Sequence, residues 1–205
     1  MALVLRGNGV VEGLTDLPDN SISSEHLSTG AISSEHLSTG AITSSLLPAG
    51  SVLQAIQTTK TDTFSTQSTT PVDITGFSVN ITPSSTSSKI LVLCNTYLSN
   101  SGYNGYVFLL RDSSEIFIAD AASNRPRVSG CVGGYSSGSM IYSLNSSAIS
   151  YLDSPNTTSQ VTYKLQLSSY SASQVSYLNR THSDRDTAGY EARAASSITV
   201  MEIAG

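Results

Sequence analysis

Leucine recurs at every tenth position, Leu17, Leu27, Leu37 and Leu47, and isoleucine falls midway between, at Ile22, Ile32 and Ile42. The apolar step is therefore five and five. Five residues turn an α-helix about 140° off face, and five is an odd step for a strand. No single uniform helix or strand keeps both rows on one side. The decapeptide ISSEHLSTGA, residues 22–31, repeats without change over 32–41, and a looser copy follows as ITSSLLPAGS. Within a copy, Ser23 or Ser24 can cap one short helical turn, SEHL, with Glu25 placed favourably in that turn. Gly30 and Gly40 can end it in a left-handed conformation, and Ala31–Ile32 then runs extended to the next cap.

Each unit presents one Ile and one Leu that it cannot bury alone. Three short copies stacked in one chain make a very small core. Several identical chains around an axis would bury both rows at once, so the repeat reads as an oligomeric stalk with Leu17, Ile22, Leu27, Ile32, Leu37, Ile42 and Leu47 as inner rungs. The alternative is a flexible, low-complexity linker. The register of four Leu and three Ile weighs against it, although the five-residue spacing fits more than one symmetry.

After Gly50 the pattern changes to short apolar runs separated by Gly, Asn, Pro and Ser. SVLQAIQ, VDITGFSVNI, KILVLCNTYL, YVFLLRD, EIFIAD, SMIYSL, SAISYLD, VTYKLQLSSY, QVSYL and SSITVMEI all read as strands. In VTYKLQL, Val161, Tyr163, Leu165 and Leu167 alternate with Thr162, Lys164 and Gln166, as in a half-buried strand. No segment keeps helical periodicity over three turns. The expected fold class is mainly β: a C-terminal β-sandwich or jelly-roll head on an N-terminal stalk of short helical turns and extended segments.

Composition sharpens this picture. The 205 residues are 39% hydrophobic but only 12% charged, about half the usual share. The formal charge of −5 argues against a nucleic-acid or anionic-membrane partner, either of which needs a basic patch. No Lys or Arg occurs between Gly7 and Thr59, where Glu12, Asp16, Asp19, Glu25 and Glu35 all fall. From Lys60 onward, basic and acidic residues nearly balance. The expected divisions are an anchoring segment, 1–20, the stalk, 21–50, and the head, 51–205. MALVLRGNGVVEG lacks the basic start and long apolar run of a signal peptide, and no stretch approaches a transmembrane helix. The chain is expected to be made in a cytoplasm, without membrane insertion.

Candidate chemistry is sparse. Cys94, inside ILVLC, reads as a buried thiol, and neither it nor Cys131 has metal-ligand spacing. His26 and His36 are expected on the solvent side of their turns, since the inner rungs are already Ile and Leu. THSDRD brings His182, Asp184 and Asp186 close together, but without the glycine turn or closing Glu of a calcium loop. No G-x-S-x-G elbow accompanies His182. We therefore expect no catalytic residue, no metal and no cofactor. The tyrosines are more suggestive: Tyr103, Tyr106, Tyr135, Tyr170 and Tyr190 sit in turn-rich contexts. A rigid ring with a hydroxyl suits contact with a sugar or protein surface. These five are the candidate receptor-contact residues.

The repeat ISSEHLSTGAISSEHLSTGAIT resembles the shafts of bacteriophage fibre proteins. VDITGFSVNITPSSTSSKILVLCNTYL, YLDSPNTTSQVTYKLQL and SSITVMEIAG look like head-domain segments of marine phage structural proteins, similar to trimeric jelly rolls of the tumour-necrosis-factor and C1q type. The resemblance implies a homotrimeric, non-enzymatic virion fibre, synthesised in the host bacterium. Its N-terminus would dock on a tail or capsid protein, with MALVLRGNGVVEGL able to add an extended strand to that partner. Its head would meet a host-surface glycan or protein. A capsid-attached head fibre with little host binding is the nearest alternative, favoured by the short anchor; a fibre-borne polysaccharide depolymerase is a more distant one.

Overall fold

The computed structural model describes residues 4–5, 11–12, 27, 29, 32–33, 37–38, 41–43, 46–133 and 142–205. The chain divides into two compact units, Met1–Leu46 and Leu47–Gly205.

In the first unit, β1 (Val4–Leu5) pairs antiparallel with β2 (Val11–Glu12). The stretch expected to add a strand to a partner thus already pairs within its own chain. In the repeats, Leu27, Ile32, Leu37 and Ile42 are 44–56% exposed. The Ala41 N–H donates to the Ser38 carbonyl (2.9 Å) and the Leu46 N–H to that of Thr43 (3.0 Å), so two local turns are formed. Leu17, Ile22 and the body of each SEHL turn, with His26 and His36, lie outside the described residues. The expected helical turns do too.

The second unit is a two-sheet β-sandwich. The larger sheet holds β3 (Val52–Lys60), β4 (Phe64–Thr66), β6 (Lys89–Asn100), β10 (Asn145–Asp153), β12 (Ser176–Leu178) and β13 (Ser196–Ile203). Its spine is β6, which pairs with β10 on one side and with β13 and β12 on the other. The second sheet holds β5 (Val72–Ile81), β7 (Asn104–Arg111), β8 (Ser114–Ile116), β9 (Gly130–Gly133) and β11 (Val161–Ser169), in the order β5-β11-β7 with β8 and β9 along the far edge of β7. The main strands run β3-β13-β6-β10 in one sheet and β5-β11-β7-β8 in the other. The chain crosses repeatedly between sheets, the winding of a jelly roll.

Period-two patterning puts the core where the sequence placed it. Val161, Tyr163, Leu165 and Leu167 are buried, and so are Ile90, Val92, Cys94 and Leu98 of β6 and Ile198 and Val200 of β13. Each such side chain contributes about 1.5–3 kcal/mol by leaving water. In β5 the alternation slips by one: Ile74 and Phe77, three apart, are both buried. Gly76, at φ 71°, absorbs the slip through a left-handed conformation that costs a residue with a Cβ more.

Several expectations change at the strand ends. Of EIFIAD only Glu115 and Ile116 join β8, because Phe117 takes a left-handed φ of 51° and leaves the sheet. Of SMIYSL, Ser139–Ile141 lie outside the described residues, and Tyr142 is in a single 3₁₀ turn instead of a strand. Strands β4 and β9, FST and GCVG, were not expected: they are short and carry little apolar signal. Both cysteines are free thiols. Cys131 is exposed, while burial holds the Cys94 thiol up at about 12.

Polar groups inside the sandwich are paired. Glu202, fully buried on β13, accepts from Gln54 Nε2 (2.6 Å), the Ser84 N–H (2.6 Å) and Ser84 Oγ (2.7 Å). Burial alone would raise this carboxyl, but the bonds from Gln54, Ser84 and Ser88 outweigh it and hold it below its ordinary value. Asp153 accepts two bonds from Arg111 Nη1 (2.9 and 3.0 Å) and one from the Tyr163 hydroxyl (2.7 Å).

Candidate functional site

The direction of β6 defines two ends of the sandwich. At its Lys89 end, the Gly50 N–H donates to the Ala204 carbonyl and the Ala204 N–H to that of Ser51, both at 2.8 Å. The chain enters the head and leaves it there. Twelve residues of strand, about 36 Å at 3.3 Å per step, carry β6 to its other end at Asn100.

Two loops meet at that far end. The β6–β7 connection, residues 101–103, and the β11–β12 connection, residues 170–175, are tied together by hydrogen bonds. The Tyr103 N–H donates to Gln174 Oε1 (2.9 Å), the Val175 N–H to Ser101 Oγ (2.7 Å), and the Tyr170 N–H to the Asn104 carbonyl (2.9 Å). A Cβ at Gly102 would lie 2.3–2.4 Å from the Gln174 amide group, so a larger residue there would displace that amide, the end of a flexible side chain, from its bond with the Tyr103 N–H. Beneath them, Asn100 Nδ2 donates to Ser176 Oγ (2.8 Å), and Ser176 and Ser169 share a hydrogen bond of 2.9 Å, all buried. On this braced platform the rings of Tyr103 and Tyr170 meet edge to face, with centroids 5.4 Å apart. They remain 61% and 56% exposed. Two large aromatic faces in mutual contact are left open to solvent on a hydrogen-bonded backbone, an arrangement suited to recognition.

The other candidate tyrosines are placed differently. Tyr106 is half-buried within β7, opposite Cys131 and Ser168, so it is a strand residue with only part of its ring available. Tyr135 lies outside the described residues. Tyr190, 64% exposed, belongs to a second loop, between β12 and β13, and meets Tyr142 with ring centroids 5.7 Å apart. Arg185 Cζ lies 5.0 Å from the Tyr142 centroid. Tyr142 was missed because it was read as part of a strand, and Gln174 because nothing in the sequence shows that it reaches across to Tyr103.

The THSDRD stretch lies in that second loop and is held by internal pairing. Asp184 takes a bidentate ion pair from Arg193 (2.6 and 2.7 Å) and a second from Arg180 (3.4 Å). The Thr181 and Ser183 hydroxyls donate to the two oxygens of Glu191, which Arg185 also approaches at 3.4 Å. The hydroxyl bonds, Ser183 first and then Thr181, pull the Glu191 carboxyl down to about 2. The His182 ring lies tilted against Tyr177 with centroids 5.6 Å apart, and among the described residues its buried Nδ1 has no hydrogen-bond partner. Among the described residues no group of three His, Cys, Asp or Glu is arranged to hold a metal ion, and no helix is long and apolar enough to cross a membrane.

No protein-family model matches the chain, and no curated protein matches it. Among solved structures it is similar to the infectious bursal disease virus VP2 subviral particle, at 17% identity over 76% of this chain and 34% of that one, with a TM-score of 0.39. It is also similar to the Gx strain of the same virus (15%, 76% and 34%, 0.33) and to T=1 particles derived from it (14%, 76% and 37%, 0.35). The chain spans about a third of the length of these proteins.

Proposed function

We propose that this chain is a non-enzymatic virion fibre, a homotrimer that docks through residues 1–20 and presents residues 51–205 to the host surface. Residues 21–50 act as its stalk. The observation that carries this reading is the ladder of Leu27, Ile32, Leu37 and Ile42, each left 44–56% exposed by its own chain at a regular step. A lone chain gains nothing from such rungs, whereas sister chains would bury them at about 1.5–3 kcal/mol per side chain. The strand winding supports the jelly-roll head that the sequence resembles, and the Tyr103–Tyr170 pair supports a contact surface at the end opposite the chain's entry. Three such weak sites on one fibre would bind together through effective concentration.

The experiment is adsorption. Purified protein should compete with the virus particle for host cells, and antibody against the head should mark an appendage on the particle. Combined Y103A and Y170A substitutions should abolish competition without changing the mass of the assembly. A particle that no such antibody marks, or competition unaffected by removing both rings, would contradict the reading.

A further inference from the structure

The five-residue ladder does not stop with the repeat. Five positions beyond Leu47 stands Val52, a β-branched residue in the slot that Ile22, Ile32 and Ile42 occupy; at the next step Gln57 ends the series. Val52 opens β3 and is 55% exposed. The bonds that join Gly50 and Ser51 to Ala204 hold this entry point beside β13, where the register partner of Val52 is Ile203.

Ile203 belongs to the outer face of the larger sheet. In β13 the buried Ile198, Val200 and Glu202 point inward, so Met201 and Ile203 point away from the core. The register then sets Leu152, Leu91, Met201 and Ala55 in one row across β10, β6, β13 and β3. The next row holds Ile203 and Val52 beside Lys89. Leu91, Met201 and Ile203 are half-buried, Leu152 is 48% exposed, and none of the four joins the core cluster. Above these rows the face hollows to about 320 Å³ over the short side chains of Ala148, Ser150, Ser197 and Thr199. Across these four strands the outward positions carry one charge, Lys89, at the border. The outer face of the second sheet is of another kind: Lys164 and Gln166 each donate to Asp73 at 2.7 Å, a pairing suited to water. A contiguous apolar patch marks an interaction surface, and depletion of charge marks the centre of a protein–protein interface.

We infer that the outer face of the larger sheet packs against a second copy of this chain, carrying burial of the ladder from the repeat into the head. The inference rests on the proposed fibre and deepens it by naming the surface that sister chains cover. The occupant is a sister chain because the face begins at a rung: the same five-residue step that brings Leu47 to its neighbours brings Val52. The apolar rows lie at the Lys89 end of β6, so the Tyr103–Tyr170 pair at the other end stays free for a host.

Carbene labelling of the full chain, read peptide by peptide by mass spectrometry, tests the surface. Peptides bearing Leu91, Leu152 and Met201 should take up several-fold less label in the assembly than in the dissociated I32N and I42N double variant. Peptides bearing Asp73 and Lys164 should label equally in both. L152E, at an exposed position, should leave the head's urea midpoint unchanged. It should raise the subunit concentration at which the assembly half-dissociates by about tenfold, 1.4 kcal/mol. S78E, on the outer face of the second sheet, should not raise it. An assembly of three chains whose larger sheet labels as freely as in the dissociated variant, or one indifferent to L152E, would overturn this surface and leave the fibre reading standing. Protection that appears only on the virus particle would give the face to another virion protein and overturn it too. A single-chain mass at every concentration would remove the fibre reading and this surface together.

Discussion

At the scale of single residues, the sandwich is most sensitive where one buried carboxylate satisfies several donors. Asp153 is the clearest case: its side chain is 5% exposed, and it serves both Arg111 and the fully buried Tyr163 hydroxyl. Removing it leaves a half-buried cation and an orphaned hydroxyl, so D153A should destabilise the head by about 3–5 kcal/mol. Y163F removes only one donor and should cost about 1 kcal/mol. Urea unfolding checks both, and a D153A cost no larger than that of Y163F would contradict the assignment. Glu191 makes a prediction about pH. Its folded carboxyl is held near 2 against an ordinary value near 4.5, so its contribution is complete above about 4.5. It is lost as pH falls through 4.5 toward 2. The β12–β13 loop should therefore loosen in that window, and E191Q should remove that dependence. Carboxyl NMR titration reads the value directly; a Glu191 midpoint at or above 4.5 would refute it.

At the scale of elements, strands of eight or more residues were legible because inward and outward faces alternate at single-residue steps. The run that became β11 shows why: hydrophobics at every second position leave one face to bury, while β6 was legible as the continuous apolar run ILVLC. Strands β4 and β9 were not legible, since three or four residues carry no period and are recruited by their partners β12 and β7. Phe117 illustrates a second limit: an apolar residue in an apolar run whose backbone turns left-handed. The site divides in the same way. Turn-rich surroundings marked Tyr103 and Tyr170 separately, but their contact is tertiary, made by loops 67 residues apart in sequence. Gly76 offers a test at this scale. G76A places a Cβ on a backbone at φ 71°, at a cost of about 1–2 kcal/mol. The β5–β11 pairing should weaken before the opposite sheet does, and hydrogen exchange protected equally in β5 of both proteins would argue against strain at the slip.

At the scale of the whole molecule, the two units pose opposite problems. Residues 47–205 bury an apolar core between two sheets of one chain, although Val52, Phe117 and Leu152 stay exposed. The repeat cannot. Its described rungs, Leu27, Ile32, Leu37 and Ile42, stay exposed in one chain, in a segment with five acids and no Lys or Arg between Gly7 and Thr59. Burial between sister chains is the favourable outcome open to such a sequence. Polar substitutions at two rungs, I32N with I42N, should therefore dissociate the assembly while leaving the head's unfolding midpoint unchanged at matched subunit concentration. Light scattering on the intact chain addresses the claim most directly. It should give three times the 21.5 kDa chain mass, falling to one chain in the double variant. A mass of one chain in the unsubstituted protein, at every concentration examined, would contradict it.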